Sequence, residues 1–538
     1  MRMPRRLILL LAAEVGLLIG AYLWASHSIA RGFGFPLDDS WIYAVFARNL
    51  AEGRGLVYNP GQFASPTGIL HGLMLGGLYR IAVAPVAMAV ISGAVLHLGA
   101  AILVYKTARR LEIGEAASAV CAIAFAAVPR LIWGAVSGME IPLYVFFVCL
   151  GLYWQVGYRW YDGWKAYLST AAFALAALAR PECGAFLVAS ILERLINSRR
   201  FDREKGGIAA CAKTIPIHLL VFAAIVAPAV AFNLWATGLP LPPAFYAKAR
   251  RAVEPGAVAL VQECLWQAWS HVRQALTVSG WDNSVLPYAA VVGLAICWKW
   301  ASRASRAPAV ILPLAFLMTP AVTGILARTG TGKVQLLFQT GRYSDYLVPL
   351  TVLLAAIGLA ALHDLVPRAQ AFRLTMIVLL TVAGWSFFAN NRGTAIKYGW
   401  DVRCINSMQV VIGKWAARLP RGTVLAVSDA GAIPFFSRKR IIDTVGVTNS
   451  EVVPYLHRYP NRQQGLMEYL TKLEPDYLII FPSWYHRIAT REDIFRPVKV
   501  VKLDRNTICG GNVMVVYRFP QFSPTGRCKR SFLVVRYK

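Results

Sequence analysis

Apolar runs of about twenty residues recur along most of this chain, and they limit its fold more than any other feature. A bilayer core is crossed by roughly 17–25 helical residues. Runs of that kind must satisfy their backbone polar groups internally, so they fold as membrane helices. The composition agrees: 57% of the 538 residues are hydrophobic and 15% charged, with a mean hydropathy of +0.50. Soluble domains do not look like this. The first run, Leu7–Ala25, follows Arg2, Arg5 and Arg6. A signal peptide is the alternative reading, but no clean small-x-small cleavage site follows and many more spans do, which favours a retained signal anchor.

The formal net charge of +29 raises nucleic acid as a partner. The basic residues, however, sit in short connections between apolar runs, the positive-inside pattern, so no nucleic-acid partner is expected. Starting with the N-terminus inside, spans are read at 7–26, 86–105, 115–133, 141–157, 166–179, 183–196, 214–235, 286–298, 308–327, 346–362 and 374–390, about eleven in all. This leaves Lys106, Arg109 and Arg110, then Arg159 and Lys165, then Arg199–Lys205, then Lys299–Arg306 on the inner side. Residues 27–85 become a long outer loop. Within it Ile69–Leu78 is apolar but short and Gly-rich, and reads as a helix on the membrane surface. From about Asn391 the pattern changes to short β-rich runs (TVLAVSD, KRIIDTVG, DYLIIFP, RPVKVVKL, VMVVYRF) alternating with helical ones. That predicts an α/β ectodomain over 391–538, following a transmembrane catalytic domain over 1–390.

The suspicious polar clusters all fall on the predicted outer side. Asp38 and Asp39 open an amphipathic helix whose apolar stripe is Ile42, Val45, Phe46 and Leu50. An acid there is a helix cap or a general base, and both readings stand. Glu140, in Ser137-Gly138-Met139-Glu140, is a surface acid or a site acid. Arg180 and Glu182 flank Pro181 as a local ion pair or a charge that holds an anionic headgroup. The loop Leu239–Lys248, with Phe245, Tyr246 and Lys248, is an aromatic belt or a phosphate clamp. Arg342-Tyr343 is unremarkable alone. A transporter would instead place ionisable groups near the midplane with repeated broken helices, and neither is evident. The nine cysteines show no CxxC pair and no zinc spacing. Cys121, Cys149 and Cys297 read as core residues, while two of Cys404, Cys509 and Cys528 can pair if their region is outside.

Taken in order, these pieces resemble the GT-C superfamily of membrane glycosyltransferases, and most closely the branch with the mycobacterial terminal β-(1→2) arabinofuranosyltransferase. The resemblance is carried by Asp38-Asp39, Ala47–Gly53, Gly55–Gly61, Ser65-Pro66, Ser137–Glu140, Arg180–Glu182, Leu241–Lys248, Gly341–Tyr343 and Asp429–Phe435. Two departures are Pro242-Pro243-Ala244, where Pro-Asn-Thr is common, and Gln62-Phe63-Ala64, where Glu-Gly-Tyr is common. The resemblance implies a polytopic α-helical fold of GT-C type and an inverting transfer from a polyprenyl-phosphate sugar to an extracytoplasmic glycan or glycoprotein. The sugar it implies is arabinofuranose, with mannose- or aminoarabinose-type transfer and a lipid-linked saccharide transporter as alternatives. Asp38 would be the base, Asp39 its partner and Glu140 a further catalytic acid. Arg180, Glu182, Tyr246, Lys248, Arg342 and Tyr343 would bind the donor. No cofactor beyond the lipid donor is implied, and a divalent metal is left open. The expected location is the bacterial inner membrane, multi-pass, with the site and the C-terminal domain on the periplasmic side.

Overall fold

Three long apolar stretches form helices able to cross a bilayer among the described residues: Arg5–Ala30, Pro85–Arg110 and Gly207–Thr237. The structure, a computed structural model, describes residues 3–248, 286–326, 342–365, 369–491 and 493–520, with a few helical residues between 261 and 269. A fourth candidate, Glu115–Ala126 with Pro129–Ser137, is bent by 51°. Its bend has a local cause: a residue before proline is pushed out of the α region, and Val128 is extended (φ −63°, ψ 116°). Shorter apolar helices include Ile141–Gly157 and Leu347–Ala361. Length and apolarity therefore return three or four of the roughly eleven expected spans among the described residues, with the other apolar helices shorter. Ile69–Ile81 is a helix of 13 residues, about 20 Å long at 1.5 Å per residue and too short to cross.

The connections between helices gather at two ends. At one, Arg306 pairs with Glu112 at 2.9 Å, Arg110 covers the Tyr153 ring at 3.6 Å, Arg159 donates to the Ala304 carbonyl and Arg200 lies 4.4 Å over Trp298. The four basic connections expected inside thus share one end. Near it the bundle also buries Gln155, Glu193, Arg194 and Asn197 in a hydrogen-bonded network: Gln155 and Asn197 both donate to Glu193, and Arg194 donates to the Ala166 carbonyl at 2.8 Å. This ionisable network went unread in the sequence, where 183–196 passes as an ordinary span.

At the other end stands the α/β domain. The helix Ala369–Ile405 runs through the expected boundary at 390/391 and continues by a π-helical turn, Asn406–Val410, into Val411–Ala417. Bundle and domain therefore share one continuous rod. A two-stranded ribbon, β1 (Val57–Asn59) and β2 (Gln62–Phe63), belongs to the first loop. The five-stranded sheet uses β3 (Val424–Val427), β4 (Arg440–Asp443), β5 (Tyr477–Ile480), β6 (Arg496–Lys502) and β7 (Val513–Arg518) in the order β4-β3-β5-β7-β6. Strand β3 is parallel to β4 and β5, with Leu425 opposite both Ile441 and Tyr477, while β7 is antiparallel to β5 and β6. Central strands buried on both faces read as near-continuous apolar runs. One face carries Ala426, Leu478 and Ile480 under the helices Val453–Arg458 and Arg462–Leu473.

The opposite sheet face explains the first loop. Leu425, Val427, Ile479 and Met514 pack against Ile42, Val45, Phe46, Leu56 and Tyr58. Meanwhile Trp41, Tyr43, Ala44 and Ala47 of the same helix pack into the bundle. Every residue from Ser40 to Asn49 is buried. The expected amphipathic helix is thus a wedge buried between two bodies, because the sheet covers one face and the bundle the other.

Candidate active site

Asp38 starts the wedge helix Asp38–Ala51 without capping it, since no side chain caps that helix. Its carboxylate instead accepts from the backbone N–H of Gly431 at 2.7 Å and of Ala432 at 2.8 Å, satisfying two donors at the start of the helix Ala432–Ser437. A Cβ on Gly431 would lie 1.9 Å from the Asp38 carbonyl oxygen, so this approach requires glycine. The preceding residues are held from the same loop. Tyr58 donates to the Ala430 carbonyl, and Arg48 lies 5.0 Å over the Phe435 ring. Asp429 accepts from Gln409 at 2.7 Å. Burial raises the proton affinity of Asp38, Asp429 adds to that, and the two N–H donors oppose it. Burial, together with the Asp39 and Asp443 carboxylates, pushes Asp429 up to about 7 against the pull of Gln409.

Asp39 points elsewhere. It accepts from Arg342 at 2.8 Å, and its side chain is 40% exposed while that of Arg342 is 5% exposed. It is the accessible carboxylate of this ion pair. The backbone of Arg342 is set by the Tyr144 hydroxyl, which donates to its carbonyl at 3.1 Å. The next turn is tied down by the buried Arg130, which pairs with Asp345 and donates to Ser344 at 2.7 Å.

Glu140 follows from a turn. Gly138 closes the helix Pro129–Ser137 in the left-handed region (φ 76°), open to glycine without strain, and its carbonyl accepts from His71 at 3.0 Å. Arg180 is extended ahead of Pro181, which ends the helix Leu168–Ala179 and begins a 3-10 turn. Its guanidinium therefore reaches both Glu140, at 2.9 Å, and Glu182. Burial works to raise the Glu140 carboxyl, but Arg180 and Arg342 outweigh it and hold it below the usual range. Arg180 and Arg342 each lie 5.0 Å from the Tyr343 ring. Three buried guanidinium nitrogens, Arg180 Nε and Arg342 Nε and Nη1, have no hydrogen-bond partner among the described residues. Donors of that kind suit an anion with several acceptor oxygens.

Seven of the nine expected site residues, Asp38, Asp39, Glu140, Arg180, Glu182, Arg342 and Tyr343, thus gather at the end that carries the α/β domain. The eighth, Tyr246, does not join them. Tyr246 sits on the helix Pro243–Lys248 and packs against the cluster of Val452, Val453 and Leu456. The Lys248 side chain lies outside the described residues, as do Gly341 and Cys528. Arg130 and Asp345 were missed, and Asp429 was read only as the first residue of a motif, with no role; the one signal for Arg130 was a charge inside an apolar span. No group of three or more His, Cys, Asp or Glu able to hold a metal occurs among the described residues. Cys404 and Cys509 are free thiols.

A family model described as a domain of unknown function (DUF8728) matches residues 400–517, the α/β domain with the end of the long helix. A sequence search of curated proteins finds no match. Among solved structures, ArnT from Cupriavidus metallidurans bound to undecaprenyl phosphate superposes with a TM-score of 0.59 at 13% identity, covering 94% of this chain and 97% of that one. The oligosaccharyltransferase AglB from Archaeoglobus fulgidus, with an inhibitory peptide and a dolichol-phosphate, gives 0.53 at 12% identity, covering 87% and 69%. The mycobacterial arabinofuranosyltransferase AftD gives 0.46 at 15% identity, covering 96% of this chain and 42% of that one, too low to weigh one branch against another. The chain shares the fold of the ArnT and AglB structures, mostly helical with a C-terminal sheet domain.

Proposed function

We propose that this protein is an inverting membrane glycosyltransferase. It takes a sugar from a polyprenyl-phosphate donor and passes it to a hydroxyl of an extracytoplasmic glycan or glycoprotein. Arabinofuranose is the sugar to which the sequence resemblance points. The bundle lies in the bacterial inner membrane, with the α/β domain on the periplasmic side. The observation that carries the reading is the accessible Asp39 carboxylate bonded to Arg342, whose remaining N–H groups and that of Arg180 face no protein acceptor among the described residues.

The acceptor oxygen attacks the anomeric carbon, and the bond from that carbon to the phosphate oxygen breaks. Its electron pair leaves on polyprenyl phosphate, where the guanidiniums stabilise the charge. The hydroxyl proton passes to the acid pair. Asp39, the more open member, takes it; Asp38, which opens the same helix, fixes the geometry through Gly431 and Ala432. The developing oxocarbenium charge is stabilised by a nearby carboxylate, as in glycosidases. Two solved structures of this fold support the lipid phosphate: one holds undecaprenyl phosphate and the other a dolichol-phosphate.

The test uses purified full-length protein in detergent with labelled arabinofuranosyl, mannosyl and aminoarabinosyl polyprenyl phosphates and a glycan acceptor. Label on the acceptor is expected from one of the three. No transfer and no donor hydrolysis with any of them overturns the transferase reading; a transporter gives neither without a membrane.

A further inference from the structure

A cavity of about 230 Å³ opens where the ribbon of the first loop meets the α/β domain, next to the end of the helix Ile215–Thr237. We propose that it is a saccharide subsite holding a single ring of the acceptor. That the acceptor is a glycan rests on the transferase reading above; binding of a sugar ring in this cavity does not.

Its lining has the two surfaces a sugar ring needs. Phe63 and Trp235 supply aromatic faces, 39% and 67% exposed, with centroids 4.7 Å apart and planes inclined at 55°. Inclined rings form an angled wall on which the C–H face of a sugar can rest. The same cavity is lined by Gln62, Asn449 and Glu451, which can take hydroxyl hydrogen bonds. Among the lining residues described, Glu451 alone is charged. A cavity with one carboxylate and no cation rejects phosphate and favours a neutral, hydroxyl-rich ligand. Its volume falls just below the roughly 300–1,000 Å³ of pockets for drug-sized ligands, which suits one ring and not an oligosaccharide.

The walls are held before any ligand arrives, as a specific site requires. Asn59 binds both the carbonyl and the N–H of Ile441 at 2.9 Å, which pins the ribbon to β4. It also donates to Gln62 Oε1 at 3.2 Å, so the Gln62 amide is oriented. Asn449 accepts from the Glu451 N–H at 2.9 Å and donates to the Tyr469 hydroxyl at 2.8 Å, and that hydroxyl donates to Glu451 at 3.3 Å. A tryptophan of an interfacial belt needs only the water boundary; Trp235 instead leans on a ring of the outer loop at the edge of a polar cavity.

Saturation-transfer NMR on the purified full chain, with methyl arabinofuranoside and methyl mannopyranoside as probes and glycerol as control, tests this. Transfer to ring protons of at least one glycoside is expected. Binding should weaken about tenfold in Trp235→Ala and in Phe63→Leu, the loss of one aromatic contact, while donor hydrolysis stays within about twofold of the parent. Ser450→Tyr, which fills the cavity from the α/β side, should abolish transfer even if the aromatic variants fold poorly. Binding that survives Ser450→Tyr, or a parent that binds neither glycoside, overturns the subsite. A parent that turns over donor but binds neither probe removes this proposal and keeps the transferase; one that binds a probe but turns over no donor does the reverse.

Discussion

Asp38 and Asp39 are neighbours with different work. Both oxygens of Asp38 accept backbone N–H groups from the α/β domain, so Asp38→Asn turns an amide N–H₂ toward one of those donors. A lost acceptor of this kind costs about 1–3 kcal/mol, and the melting temperature should fall together with turnover. Asp39→Asn removes a half-open carboxylate, so the melt should hold and turnover drop by about 10²–10⁴-fold. If Asp39→Asn keeps turnover within a few-fold, the base moves to Asp38 and then to Glu140. Asp429 gives a pH signature. Its folded-state affinity for the proton, pushed to about 7, exceeds its unfolded value near 3.9. The folded state then binds more protons between those values, so this group's contribution to stability falls as pH rises from about 4 to about 7. Asp429→Asn can still accept from Gln409. It should flatten that slope and raise the melting temperature at pH 8 relative to the parent; an unchanged profile in melts from pH 4.5 to 8 rejects the assignment.

At the scale of elements, the joint between the helices Asp38–Ala51 and Ala432–Ser437 decides whether the acids are in place. The two are pressed together at Gly431, and Trp41 sits 4.9 Å from both Phe435 and Phe436. Gly431→Ala cannot be absorbed by a rotamer, because the atom in its way is backbone. We expect a folded bundle with the joint sprung and turnover reduced at least as far as in Asp38→Asn. Wild-type turnover in Gly431→Ala would mean that the joint does not position the acids. Phe46, fully buried under the sheet, tests the other side of the wedge: Phe46→Ala should cost about 3–5 kcal/mol, read by thermal unfolding.

For the whole molecule, the shared helix and the wedge make the α/β domain part of the site. Removing residues 406–538 would expose Ile42, Val45 and Phe46 and strip both backbone donors from Asp38. The truncated chain should lose donor hydrolysis as well as transfer, and should aggregate in mild detergent; intact donor hydrolysis would show that the bundle carries the site alone. Orientation is tested by single-cysteine labelling in a background without native cysteines. An impermeant reagent should reach a cysteine replacing Asp476 from outside and one replacing Arg200 only after permeabilisation. The opposite pattern inverts the topology.

The sequence by itself determined what depends on local chemistry. Apolar runs specify helices in lipid, basic connections sort to one end, and β-rich runs with turns specify the sheet strands, all readable because period and charge are local. The joining of Asp38, Asp39, Glu140, Arg180 and Arg342 at one end could be anticipated from alternating spans and from the order of the motifs. Only the tertiary structure decided what each residue does there. Asp38 reads in sequence as a helix cap or a general base, yet it meets backbone donors almost four hundred positions later, a partner no local pattern can announce. The stripe of Ile42, Val45 and Phe46 reads as the apolar face of an amphipathic helix; a sheet assembled from distant strands buries that face, and the bundle buries the other. Arg130 and Glu193 hide in apolar runs because a buried charge is revealed by its partner, and the partner is brought near only by the folded chain.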